Sequence, residues 1–425
     1  MITAYSEYTN PSSQWIDTIP THWRLGRLDQ VARAWPSNVD KHSVEGETSV
    51  RLCNYTDVYK NSSIVEGMSF MEATASDQEI DRFRLVIGDT LLTKDSETAD
   101  DIGVPAFVEY EAPDLLCGYH LSIVRPDSSR VNPKFLYWAL GAGPTLGQWA
   151  VLASGVTRVG LKAGDLAKVT LAFPSLSEQR AIADYLDRET ARVDTLIEEQ
   201  QRLIEMLRER RRAVIEWRIA DIEADRAALR YCARLVSGSG FPVAAQGNVD
   251  EELPFFKVKD LQSADHHGIL LPAADTVSRD TAATLRATVI PRGSIVFAKV
   301  GAALKLGRVG SLPVDGCIDN NMSALIFDST MDPYFARYVL LTFDFGRFVH
   351  PGAVPSLNME AVREFKFPLV SRDRQRSIVE NLDEEIAKID ELIAESERFI
   401  ELSRERRAAL ITAAVTGQID VREVA

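Results

Sequence analysis

Cysteine is scarce in this 425-residue chain, and the four present, Cys53, Cys117, Cys232 and Cys317, form no CxxC pair. That spacing indicates neither a zinc site nor a disulfide framework, so the thiols are expected to be buried and no metal is expected. No apolar run reaches transmembrane length, and no charged, apolar and small-residue series opens the sequence. A cytoplasmic protein with no membrane partner is therefore expected. Signatures of catalysis are also missing. There is no Walker loop, no GxSxG and no Asn-Pro-Pro-aromatic or Asp-Pro-Pro-aromatic string of an amino-methyltransferase. Gly141-Ala142-Gly143 with Gly147 misses the GxGxxG spacing and reads as part of a glycine-rich loop from Gly141 to Gly164. Phe343-Asp344-Phe345-Gly346 lacks the glycines of a methyl-donor site and reads as helix-end packing. Glu364-Phe365-Lys366 has the ExK form of many nucleases, but with no acidic partner at a suitable distance it reads as an alternating strand. His266-His267 reads as a polar loop. No catalytic residue is expected.

Charge of one sign dominates: 48 Lys and Arg against 62 Asp and Glu give a net charge of −14. Taken as a sum this argues against a phosphate-bearing partner. The acids, however, crowd two stretches (Glu198, Glu199 and Glu205; Glu384, Glu385, Glu391 and Glu395), leaving local cations elsewhere.

Those two stretches are copies of each other. An offset of 196 residues, with no gap, places Gln179, Arg180, Ile182, Leu186 and Asp187 on Gln375, Arg376, Ile378, Leu382 and Asp383. It also places Asp194 on Asp390, and Arg208 to Arg211 on Arg404 to Arg407. An internal repeat is the first organising fact of such a chain. Both copies predict long helices that follow an FP dipeptide and contain no Gly or Pro. Steps of four and three put Ile182, Leu186, Val193, Leu196, Leu203, Leu207, Val214 and Trp217 on one face. In the second copy the face is Ile378, Leu382, Ile389, Leu392, Phe399, Leu410 and Ala413. Matching polar interruptions fall at Glu189 and Glu385, Gln200 and Ser396, and Arg210 and Arg406. The two helices are expected to cover each other's stripe as a coiled coil.

Between them lie stretches of short apolar runs and turn residues, the pattern of strands. These repeat more faintly. Gly88, Leu92 and Lys94 match Gly293, Phe297 and Lys299, and Cys117, Pro133, Phe135 and Leu140 match Cys317, Pro333, Phe335 and Leu340. The expected organisation is a first globule over 1–175, a first spacer helix over 176–220, a second globule over 221–371 and a second spacer helix over 372–425. The fold class is two α/β domains in pseudo-two-fold repeat joined by an antiparallel pair of long coiled-coil helices. A pseudo-symmetric monomer, with the chain ends near the first globule, is expected.

The order and motifs resemble the specificity subunit of Type I restriction–modification systems over essentially the whole chain. The likeness rests on Ile19-Pro20-Thr21-His22-Trp23, Gly88-Asp89-Thr90-Leu91-Leu92, Gly293-Ser294-Ile295-Val296, Glu178-Gln179-Arg180-Ala181-Ile182 and Thr416-Gly417-Gln418. The second globule departs from it in having no Pro-x-x-Trp form at its start. The resemblance implies a noncatalytic reader of double-stranded DNA, each globule a target recognition domain for one half of a split, asymmetric target. It implies docking of two copies of a methyltransferase subunit that carries S-adenosylmethionine and methylates adenine N6, with no cofactor on this chain. ATP-dependent restriction subunits would join these. Phosphate contacts are then expected from Lys60, Arg84, Lys94, Arg158 and Lys162, and from Lys257, Lys259, Lys299, Lys305 and Arg308. Base-edge contacts are expected from Thr157, Asn320, Asn321 and Asn358. Two other readings of the residues stay open: a protein-binding coiled-coil scaffold, and an unrecognised nuclease built on Glu364 and Lys366.

Overall fold

A computed structural model describes residues 4–265 and 267–422, and leaves the side chain of Lys305 and all of His266 outside the description. The chain divides into two compact units. One is Met1–Gln200 with Arg398–Ala425, the other Gln201–Glu397. Each unit therefore combines one globule with a half of each long helix.

In the first unit a five-stranded sheet runs Ala32–Pro36, Leu121–Pro126, Thr90–Thr93, Pro105–Val108, Ser63–Ile64, with only the last pair parallel. Leu91, Leu92, Ile123 and Val124 are fully buried because both faces of its centre are covered. A three-stranded sheet, Leu115–Cys117, Thr48–Cys53, Met71–Ala75, packs beside it. The second unit repeats this order with Ala233–Ser237, Met322–Phe327, Ile295–Ala298 and Val309–Ser311, without a fifth strand. Its three-stranded sheet is Cys317–Ile318, Leu253–Phe256, Thr276–Val277. At the root of each globule a two-stranded sheet leads into a long helix: Arg24–Arg27 with Thr170–Phe173, and Arg226–Ala228 with Lys366–Pro368.

The long helices span Leu176–Ala220 and Arg372–Val415. The residues shared by the two copies fasten globule to helix in the same way twice. Gln179 Oε1 accepts from Asn132 N at 2.8 Å while its Nε2 donates to Pro174 O at 3.0 Å. Gln375 Oε1 accepts from Asp332 N at 2.6 Å and its Nε2 donates to Val370 O at 2.9 Å. Asn132 and Asp332 in turn cap the helices Pro133–Leu140 and Pro333–Leu341, each with proline in its first turn. Trp138 Nε1 donates to Asp187 at 2.8 Å, and Tyr338 OH donates to Asp383 at 2.5 Å.

Within each unit the helix halves run antiparallel. Arg407 pairs with Asp194 at 2.8 Å in the first, and Arg211 with Asp390 at 2.9 Å in the second. The repeat exchanges these two pairs, so each unit carries the same bond. The buried column is not the expected one throughout. Val193, Ile197, Ile204, Leu207, Ile215 and Ile219 are buried in the first helix, and Ile389, Ser396, Ile400, Ser403, Ile411 and Val415 in the second. Leu196 and Trp217, and Leu392 and Phe399, are exposed instead. Apolar residues occupy adjacent columns (Leu196-Ile197, Leu203-Ile204), so the four-three pattern can be laid on either. The arginine that interrupts the seam is accordingly Arg211 with Arg407, not Arg210 with Arg406.

Two more expectations are corrected. The stretch Gly141–Gly164 is not a loop throughout: it contains the helix Gly143–Leu152 and the short helix Ala163–Leu166. Pro144 starts the former, and the fully buried Trp149 holds it despite its glycines. Glu364 is not in a strand either. It ends the helix Met359–Glu364 and pairs with Arg230, and the strand begins at Lys366. Phe343 and Phe345 do pack after a helix end, buried, with ring centroids 5.0 Å apart.

Candidate nucleic-acid interface

The strand-end lysines found by the repeat, Lys94 and Lys299, sit at the same place in the two globules. Lys94 N donates to His120 O at 3.1 Å, and Lys299 N to Asn321 O at 2.7 Å. Each lysine is half-buried, and loss of solvent lowers its pKa. Lys94 Nζ donates to Ser37 O at 3.0 Å and stands 4.2 Å from the Tyr119 ring centroid.

Around Lys94 the first globule builds a polar cluster. Asp95 takes the Nδ1 of His120 at 2.9 Å and lies 2.6 Å from the Arg158 guanidinium, an ionic contact outside hydrogen-bond geometry. The strand Asp95–Ser96 pairs with Val159–Gly160, which brings Arg158 and exposed Thr157 to this end. Exposed Lys162 follows directly, since Leu161 N bonds Lys94 O at 2.8 Å. Tyr59 OH donates to Asp101, and its ring stacks on Tyr55 at 5.4 Å. Lys60 lines a different recess, with Pro105, Trp138 and Arg407. Arg84 is exposed at the end of the helix Asp77–Phe83, where its carbonyl accepts from Arg125.

In the second globule, Lys299, Asn320 and Asn321 converge on Asp319. Asn321 N donates to Asp319 Oδ1 at 2.7 Å, and Asp319 N donates to Phe256 O at 2.9 Å, next to Lys257. Lys257 is engaged internally, with Asp275 at 2.7 Å and Gln246 Oε1 at 2.8 Å. Asn358 is a helix cap whose Oδ1 accepts from Glu360 N and Ala361 N at 3.0 and 3.2 Å. Lys259 is exposed and Arg308 half-exposed; the Lys305 side chain lies outside the described residues.

The structure thus brings together Lys94, Thr157, Arg158 and Lys162, and separately Lys257, Lys299, Asn320 and Asn321. Sequence reasoning missed Tyr119, His120 and Asp95. An offset of 201 would have found the first two, because it lays Tyr119-His120 on Asn320-Asn321. The chemistry collected here is cationic and amide donors beside aromatic faces, which suits phosphates and base edges. Cys53, Cys117 and Cys317 are buried as expected, whereas Cys232 is only half-buried. Burial raises the pKa of Cys53, Cys117 and Cys232, and that of Cys317 to about 11, which makes them poor nucleophiles. Among the described residues no group of three or more His, Cys, Asp or Glu could hold a metal ion, and no helix is long and apolar enough to cross a membrane.

No family model matches the chain. It is 19% identical over 441 residues, 96% of each protein, to the protein assigned as the specificity subunit of the type I restriction enzyme MjaX of Methanocaldococcus jannaschii. A chain from a solved structure concerning complex assembly and conformational transition of the type I restriction–modification system is 16% identical. It covers 94% of this chain and 99% of its own length, with a TM-score of 0.72. The HsdS subunit of Thermoanaerobacter tengcongensis, also 16% identical, covers 94% and 98%, with a TM-score of 0.51. In fold, and in sequence along nearly its whole length, this chain is similar to the specificity subunits of Type I restriction–modification systems.

Proposed function

We propose that the chain is the noncatalytic reader of a Type I restriction–modification enzyme. Each globule reads one half of a bipartite, asymmetric double-stranded DNA target in the cytoplasm. The paired helices dock two copies of an adenine-N6 methyltransferase subunit, which brings S-adenosylmethionine, and restriction subunits join that complex. The observation that carries this reading is the repeat itself. The two sheets share one strand order, and the Lys94 and Lys299 loop clusters stand at the same strand end. Around those lysines the side chains differ (Tyr119, His120 and Arg158 against Asn320, Asn321 and Asp319), as two unlike half-sites require. Two readers joined by a paired-helix spacer would meet DNA at a set groove phase, which recurs about every 34–36 Å.

Docking of two like subunits is supported by the outward faces of the helices. Leu196 and its repeat mate Leu392 are 43% and 49% exposed, and Met206 and its mate Leu402 are 58% and 54% exposed. The same apolar columns, presented twice, fit two copies of one partner. Single-molecule sequencing of DNA from cells expressing this chain with its partner methyltransferase tests the reading. N6-methyladenine in a split, asymmetric motif that vanishes on deletion of this gene is expected. No such motif while the methyltransferase is expressed and active would overturn it.

A further inference from the structure

The second unit contains an open apolar recess of about 550 Å³, whose walls include Ile219, Phe343, Phe348 and Phe365. Phe348 and Phe365 are only half-buried, although both belong to the hydrophobic core's edge. The repeat says what is missing. Offsets of 196 and 200 carry Ile219 to Val415, Phe365 to Val169 and Phe348 to Gln148. In the first unit Val415 and Val169 lie in one buried core with Ile16 and Ile19. Trp15 closes over the neighbouring Gly147, so tightly that a Cβ there would come within 3.0 Å of its ring. The segment 4–23, an arm ahead of the strand Arg24–Arg27, therefore fills in the first unit the place left open in the second. Ahead of the equivalent strand, Arg226–Ala228, only Asp221–Asp225 separate it from the helix end at Ala220, too short a stretch to form an arm.

The polar anchor differs in sign. In the first unit the arm is held by buried Glu178, which accepts from Tyr5 OH at 2.6 Å and Trp23 Nε1 at 3.1 Å. Its repeat mate is Arg374, which is exposed. Of the charged groups lining the recess, Glu364 is paired with Arg230, Glu216 is paired with Arg212, and the Arg226 guanidinium donates to Ile219 O at 2.8 Å. Lys366 is exposed and has no ion-pair partner among the described residues. An occupant thus meets an aromatic-walled seat with uncompensated positive charge.

We propose that this recess receives an extended segment of a partner protein, carrying an aromatic side chain next to a carboxylate and bound once per chain. Once per chain follows because the counterpart seat is already filled. A second copy of this chain is not the occupant, because its own arm is engaged, with Tyr5, Ile16 and Ile19 buried. The sequence Ser12 to Pro20 contains Trp15, Ile16 and Asp17 and is a ready probe of that chemistry.

A fluorescent peptide of residues 12–20, titrated into the full chain, should bind saturably at one site. Lys366→Glu should weaken it about tenfold without changing the fold, since Lys366 is exposed, and Ala361→Trp should abolish it by filling the recess. A peptide with Trp15→Ala should not bind. Absence of saturable binding to the unaltered chain overturns the proposal. So does binding that survives both Ala361→Trp and Lys366→Glu, which would place the peptide in the first unit by exchange with the resident arm.

Discussion

Glu178 shows how much a single side chain decides here. It is 5% exposed and gathers Tyr5 OH, Trp23 Nε1 and His22 Nε2, the last at 3.2 Å. Removing the carboxylate strands two buried donors, Tyr5 OH and Trp23 Nε1, and takes the partner from the exposed His22 ring. Glu178→Ala should therefore cost about 3 kcal/mol, read as the loss of hydrogen-exchange protection over 5–23 in the intact chain. Equal protection in the variant would show that the arm is held by its apolar contacts alone. Glu178 was not singled out from the sequence as an anchor because the repeat does not preserve it. Gln179 and Asp187 were visible as repeated letters, yet their partners lie 47 and 49 residues away, where no local pattern points. Asp275 allows a pH test. The hydrogen bond from the Lys257 ammonium, helped by Gly247 N–H, holds its pKa below the ordinary carboxylate value. A depressed folded pKa means stability present above the unfolded value, about 3.9, and lost as pH falls through the folded one. Lys257→Met should cost about 1 kcal/mol at neutral pH, since the pair is only partly buried. In urea melts that cost should shrink as the pH falls below about 4; a constant difference would contradict the linkage.

At the scale of the elements, the long helices were legible in extent and pairing, because the 196-residue repeat and the four-three spacing are strong local signals. Which column forms the seam was not legible. Leu196 and Ile197 offer equal apolarity, and only tertiary packing selects Ile197, beside the Asp194–Arg407 pair of the same unit. The helix Gly143–Leu152 was hidden for a related reason. Its glycines argue for a loop, and the burial of Trp149 that overrides them is a long-range fact. The seam assignment makes a discriminating prediction. Ile204→Ala should destabilise the chain by about 2–4 kcal/mol, whereas Leu196→Ala and Leu392→Ala should each cost less than about 0.5 kcal/mol in thermal or urea unfolding. On the proposed function, the pair Leu196→Ala with Leu392→Ala should instead reduce co-purification of the methyltransferase subunit. Similar unfolding costs for Ile204→Ala and Leu196→Ala would return the seam to the column expected from spacing alone.

The whole molecule is two copies of globule and helix, but its compact units are not the two halves of the chain. The first unit is assembled from residues at both sequence extremes: Gln418 Nε2 donates to Thr18 O at 2.9 Å, and the Arg422 guanidinium lies 5.0 Å from the Tyr5 ring centroid. A Cβ on Gly417 would come within 2.4 Å of Pro20, so the turn after the second helix is shaped to the arm. Joining residue 422 to residue 4 through a few glycines and serines therefore asks little of the fold. New ends can then be opened between Glu223 and Ala224, in the short link from the first long helix to the strand Arg226–Ala228. The permuted chain reads globule, helix, globule, helix as before, with the second globule now first. It should keep its unfolding midpoint within a few degrees and, if the proposed function holds, direct methylation to the same split motif. A permutant opened between Gln200 and Gln201, inside the first helix, breaks the run of i to i−4 bonds at mid-length and leaves up to four donors and four acceptors unsatisfied. It should lose several kcal/mol of stability. If the link permutant fails while the mid-helix permutant folds, the arm and the segment 416–422 do not form the closed junction described for the first unit, and the chain's order rather than its contacts holds that unit together.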